Sequence, residues 1–108
     1  MTAFFELRDY RIKDGKRDRW AKWMEEKVIP FQTERGMTIV GTWIDRDQHD
    51  RYVWMRRFES EEQHEALRKA VYEDERWKAE FTPQIEEMLD RPRMVVTRLE
   101  ATPQSGIR

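Results

Sequence analysis

Residues 37–58 read MTIVGTWIDRDQHDRYVWMRRF. Met37–Asp45 is rich in β-branched and aromatic residues, Asp45–Asp50 is a polar turn, and Tyr52–Phe58 returns to a strand composition. The stretch therefore predicts a β-hairpin. On its N-terminal side, Trp20, Trp23, Met24, Val28 and Phe31 follow one another at steps of 3, 1, 4 and 3, a single helical stripe. Asp14-Gly15 can start that helix and Gly36 closes the segment, while Pro30, which lacks a backbone donor, is expected to kink or end it. Ahead of the helix, Phe4–Ile12 is of extended type.

On the C-terminal side, Ser60-Glu61-Glu62-Gln63 matches a capping box, with Ser60 serving the N3 amide and Gln63 reaching back. Leu67, Ala70 and Val71 carry the apolar stripe of this second helix, and Trp77, Phe81, Ile85 and Met88/Leu89 extend it at steps near four. Pro83 and the region of Asp74 are expected to divide it into two pieces. Pro92 ends the helical part, and Met94–Leu99 is the last strand. The order β-α-β-β-α-β predicts an α+β fold of the ferredoxin-like kind. Such a fold is one four-stranded antiparallel sheet with its helices on a single face. One domain over residues 1–101 is expected, with a loose tail at 102–108 containing Pro, Ser and Gly.

Composition removes several function classes. There is no Cys among the 108 residues, which excludes thiolate catalysis and Cys-ligated metals. Lys and Arg number 21 against 22 Asp and Glu, so no basic excess points to nucleic acid. With 40% charged residues, no segment reads as a membrane span. Met1-Thr2-Ala3 runs directly into Phe4 without a secretory or basic leader, which makes the cytoplasm the expected location. Five Trp, three Tyr and six Met supply the apolar area that a charged chain otherwise lacks.

Alternation assigns the sheet faces. Placing Glu6, Arg8, Arg56 and Arg98 under the helices would desolvate four charges, each at several kcal/mol unless paired. On that ground Phe5, Leu7, Val40, Ile44, Val53, Met55, Val95 and Leu99 are expected to face the helices, with Arg57 snorkelling from the same side. The opposite face would then carry Glu6, Arg8, Tyr10, Gly41, Trp43, Trp54, Arg56, Met94, Val96 and Arg98. Such a face is too apolar to stay wet, and a second copy related by two-fold symmetry would cover it.

Arg8, Tyr10, Trp43, Trp54 and Arg56 are the candidate ligand-binding residues, with Arg98 beside them. Arginine forks match carboxylate or phosphate oxygens and aromatic faces stack on planar groups, so the expected ligand is small and anionic or aromatic. The competing expectation is that Glu6 and the partner chain satisfy the arginines while the aromatics pack the dimer. His49 lies in the hairpin turn and reads as solvated. His64, in the first turn of the second helix, reads as a packed or capping histidine. Neither has the spacing of a metal ligand, no Gly-rich phosphate loop exists, and no metal or cofactor is expected. Glu61–Glu65 and Glu86–Asp90 read as solvated helix faces.

Glu6-Leu7-Arg8-Asp9-Tyr10 followed by Gly15 resembles the opening strand and turn of the NIPSNAP domain family. The resemblance continues through Gly36, Val40-Gly41-Thr42-Trp43 and the run Asp50–Phe58 to Tyr72, Trp77-Lys78 and Val95–Leu99, roughly residues 4 to 100 in all. It implies a dimeric α/β-barrel. In fold, the family resembles cofactor-independent oxygenases, haem-degrading enzymes and stress-response barrels. Its eukaryotic members are mitochondrial, whereas this short chain looks like a stand-alone bacterial-type member. The resemblance implies no agreed reaction. Three functions follow as expectations: a small-molecule-binding barrel, a cofactor-independent oxygenase or isomerase helped by His64, Glu6 or Tyr10, and a structural or interaction module.

Overall fold

The computed structural model describes residues 2–108. Strand β1 (Phe4–Arg11) leads to α1 (Arg17–Trp23), which continues through a π turn at Met24–Val28 into α2 (Ile29–Glu34). The hairpin β2 (Thr38–Ile44) and β3 (Arg51–Phe58) follows. Next come α3 (Glu61–Tyr72), a second π turn at Trp77–Phe81, α4 (Thr82–Met88), a 3-10 turn at Arg91–Arg93 and β4 (Val95–Leu99). The four strands form one antiparallel sheet in the order β2-β3-β1-β4, the ferredoxin-like arrangement that the element order predicts.

Pro30 neither ends nor breaks its helix. It occupies the first turn of α2, just after the π turn in which the Ile29 N–H reaches the Met24 carbonyl. The wider turn shifts the hydrogen-bond ladder where the proline ring would otherwise meet a carbonyl. Pro83 sits in the same relation to the Trp77–Phe81 turn, where the Thr82 N–H reaches the Trp77 carbonyl. The second helical arm divides only at Asp74, whose Oδ1 accepts from the Arg76 N–H at 2.7 Å. Ser60 caps α3 as expected, accepting from the Gln63 N–H at 3.1 Å. Gln63 reaches back one residue further than the capping box requires, to the N–H of Glu59 at 2.6 Å.

The face assignment requires correction. Along β3, Tyr52, Trp54, Arg56 and Phe58 are buried beneath the helices and the residues between them are only partly covered. Directly opposed residues share a face. Glu6 opposes Arg56 and Arg98, Arg8 opposes Trp54 and Val96, and Tyr10 opposes Tyr52, so all of these lie on the helix side. The open face carries Phe5 and Leu7 of β1, Val53 and Met55 of β3, and Val95 and Leu99 of β4, the reverse of the expectation. Only β2 follows it, because Trp43 opposes Val53 and Gly41 opposes Met55 on the open face, while Ile44 opposes Tyr52. Val40 falls at the register shift between Ile39 and Gly41 and belongs to neither ladder position.

Two physical terms decide the outcome. The helix side takes the larger aromatic surfaces, Phe4, Tyr10, Tyr52, Trp54 and Phe58, which meet Trp20, Met24, Val28 and Phe31 from the first helical arm and Val71 and Phe81 from the second. The charges that go with them are not left unpaired, since Glu6 and Arg56 are cross-strand neighbours that neutralise one another in the sheet itself. On the open face the Trp43 ring lies on Gly41, where an added Cβ would sit 2.6 Å from Cζ2 and Cη2. Residues near the C-terminus turn back over the Phe5 end of this face: Ile107 borders a hollow with Phe5 and Met55, and Arg57 Nε donates to a backbone oxygen of Arg108 at 2.8 Å.

Candidate ligand cavity beneath the sheet

The alternation of β1 and β3 aims Glu6, Arg8, Tyr10, Trp54 and Arg56 into the layer between sheet and helices. Arg56 is 0% exposed and Glu6 5%. One carboxylate oxygen of Glu6 accepts from Arg56 Nε at 3.1 Å, from Arg56 Nη2 at 2.5 Å and from Arg8 Nη1 at 2.9 Å. Its other oxygen lies 3.2 Å from His64 Nε2. Arg56 Nη1 donates to Gln32 Oε1 at 2.9 Å and to Tyr72 Oη at 2.8 Å, and Arg8 Nε donates to Tyr10 Oη at 2.7 Å. Both guanidiniums also lie near aromatic faces, Arg56 at 5.1 Å and Arg8 at 6.0 Å from the Trp54 ring centre.

Burial pushes the Glu6 carboxyl up, but the charges of Arg56 and Arg8 and their hydrogen bonds outweigh it, leaving the group at about 2 instead of its ordinary 4.5. Burial also opposes the charge of Arg8, yet Tyr10, Tyr72 and Glu6 hold its pKa above the ordinary arginine value. Two arginines thus meet one ionised carboxylate. This buried cluster carries a single positive charge in excess.

A cavity of about 130 Å³ opens beside Arg8, between the sheet and the two helical arms. Tyr10, Trp20, Trp23, Trp54, Tyr72 and Trp77 supply its aromatic wall. Gln32 is a buried part of the lining, and the exposed Arg91 marks its open side. An apolar cavity of about 150 Å³ accommodates benzene, so a single ring sets the scale.

Of the residues expected to form a pocket, Arg8, Tyr10 and Trp54 line this cavity together. Arg56 stands behind it, connected through Gln32 and Tyr72. Trp43 is on the other face of the sheet and 46% exposed, so it does not join them. The space is therefore inside the protomer, under the helices, and not between two sheets. Arg98 is exposed at the edge strand, pairs with Glu61 and lies 4.2 Å from the Phe4 ring centre. His64 does not line the cavity; it packs on Phe58 at 4.6 Å and touches the site only through Glu6. His49 is exposed in the hairpin turn.

Gln32 and Tyr72 are the site residues that sequence reasoning missed. Gln32 carried a signal: it lies four residues after Val28, a polar side chain on an otherwise apolar helical stripe. Among the described residues, no group of three or more His, Asp or Glu side chains is placed to hold a metal ion. No described helix is long and apolar enough to cross a membrane.

Comparison with known proteins places the chain. The family model described as NIPSNAP matches residues 5–103. A NIPSNAP family protein from Agrobacterium tumefaciens superposes with a TM-score of 0.86 at 25% identity, over 99% of this chain and 92% of that one. A second Agrobacterium tumefaciens NIPSNAP family protein, of unknown function, gives 0.88 at 22% identity over 99% and 95% of the two chains. A candidate antibiotic biosynthesis monooxygenase from Nitrosomonas europaea gives 0.70 at 10% identity over 96% and 94%, a likeness of fold alone. No curated protein matches the chain.

Proposed function

The chain belongs to the NIPSNAP family, and from the cavity under its sheet we propose that it is a small-molecule-binding protein acting as a homodimer. The observation that carries this reading is the position of Arg8. It is a largely buried guanidinium that lines an aromatic-walled space while its cluster holds more positive than negative charge. A core built only for packing gains nothing from two arginines around one carboxylate, because burying charge costs several kcal/mol per ion before pairing returns part of it. Arg8, Tyr10 and Trp54 would contact the ligand, and Arg56 would hold Gln32 and Tyr72 in place. The ligand is small, and anionic or aromatic.

The dimer is supported by the open face. Trp43, Val53, Met55, Leu7, Val95 and Leu99 share it, and Val95 and Trp43 are 56% and 46% exposed. A sheet face with this much exposed apolar surface around one Asp9–Arg51 ion pair is normally covered, and a two-fold copy of the same sheet is the simplest cover. Pairing two sheets this way leaves the cavities on the outer sides, one per protomer.

Thermal denaturation of the wild type and of Arg8→Met against a panel of ring-sized acids, neutral compounds and amines tests the binding reading. At least one compound should raise the wild-type Tm and leave the Arg8→Met protein unmoved. Equal shifts in both proteins would place binding elsewhere.

A further inference from the structure

The polar groups that line the cavity are almost all hydrogen-bond donors. Gln32 Oε1 accepts from Arg56 Nη1, and because a guanidinium can only donate, that contact fixes the amide orientation and leaves Nε2 as the free end. Gln32 Nε2, Trp20 Nε1 and Trp54 Nε1 are buried and have no acceptor within reach among the described residues, and all three side chains line the cavity. Gln32 is 0%, Trp20 1% and Trp54 2% exposed. Tyr10 and Tyr72 extend the pattern, since their oxygens accept from Arg8 and Arg56 and their hydroxyl protons stay available. Among the described residues, no Asp or Glu lines the space.

Buried donors without acceptors are rare, and here three belong to side chains that line one cavity. We propose that the cavity takes a compact planar carboxylate, a ring or short chain bearing one oxyanion, and rejects amines and amidines of the same shape. This rests on reading the cavity as a ligand site. The oxyanion answers the indole and amide N–H groups, the excess charge of the Arg8–Arg56–Glu6 cluster favours it over a neutral acceptor, and the aromatic wall holds the apolar part. A cationic ligand would find the aromatic faces but no carboxylate, and would meet N–H donors and a like charge.

Isothermal titration with benzoate, butyrate, toluene and benzamidine tests it on the full chain. Benzoate or butyrate should bind at least roughly tenfold more tightly than benzamidine and toluene. Gln32→Glu keeps the acceptor for Arg56 and replaces the free donor by a negative oxygen, so it should lose the acid and gain benzamidine. Trp54→Phe keeps most of the ring and removes one N–H, and should weaken the acid severalfold even if Gln32→Glu does not fold. Silence from all four probes overturns the cavity reading itself. Toluene or benzamidine binding as tightly as the acids leaves that reading standing and overturns the assignment of ligand class, as does acid binding unchanged in Trp54→Phe.

Discussion

Glu6 and Arg56 stand directly opposite one another on β1 and β3, and a single carboxylate oxygen takes both Nε and Nη2 of the guanidinium beneath the helices. Removing one partner strands the other in a place that water does not reach. Arg56→Met also takes the donor away from Gln32 and Tyr72. The unfolding free energy should fall by about 3–5 kcal/mol in urea denaturation. The double variant Glu6→Leu with Arg56→Met should cost less than the sum of the two single changes, because the stranded charge is gone. Strictly additive effects would show that the pair is not coupled.

The same carboxylate sets an acid limit. Its pKa is lower in the folded protein, about 2, than the ordinary 4.5 it regains on unfolding. The unfolded chain therefore binds the proton more readily. The stabilisation is complete above about pH 5 and is lost as pH falls through 4.5 towards about 2, at most about 3 kcal/mol in total. Denaturation midpoints measured from pH 7 down to pH 2 should drop across that window in the wild type. Glu6→Gln should be less stable at pH 7 and show a shallower drop. An identical pH slope in both proteins would assign the acid loss to other groups.

Trp43 and Trp54 divide the two surfaces that sequence reasoning had merged. Trp43 lies on Gly41 on the open face, whereas Trp54 is buried against the cavity. Trp43→Ala should weaken self-association by roughly tenfold or more while leaving small-molecule binding unchanged. Sedimentation at micromolar protein beside a ligand titration separates these effects. A wild-type protein that sediments as a monomer contradicts the dimer, and a loss of ligand binding in Trp43→Ala contradicts the separation of the faces.

How far the sequence reaches is visible in these residues. The order of elements, the hairpin from Thr38 to Phe58 and the Ser60 cap were legible, because turn chemistry, capping and periodicity act locally. The face of the sheet was not. Alternation separates Trp54 and Arg56 from Val53 and Met55 but does not say which set faces the helices. The deciding fact is the cross-strand register that sets Glu6 against Arg56. A rule that charges avoid the core fails when two of them are neighbours on adjacent strands. Larger aromatic area in the set Tyr10, Tyr52, Trp54 and Phe58 was the signal that should have outweighed it. Alternation keeps Arg8, Tyr10 and Trp54 on one face wherever it points, whereas Trp43 can be placed only by the register of β2 on β3.

Ser60 offers a local control for these tertiary effects. Its Oγ accepts from the Gln63 N–H while Gln63 accepts from the Glu59 N–H. Ser60→Ala should lower stability by about 1 kcal/mol without altering assembly or ligand response, as chemical denaturation would read. A loss several times larger would indicate that α3 is held by its cap and not by packing of Val71.

The most direct measurement is the indole N–H region of a proton–nitrogen correlation spectrum recorded during titration with benzoate. The chain has five tryptophans, assignable one at a time by Trp→Phe substitution. If the cavity beneath the sheet is the binding site, the signals of Trp20 and Trp54 move together as the acid is added and that of Trp43 stays where it is. Movement of Trp43 alone, or no movement of Trp20 and Trp54 at saturating acid, would contradict it.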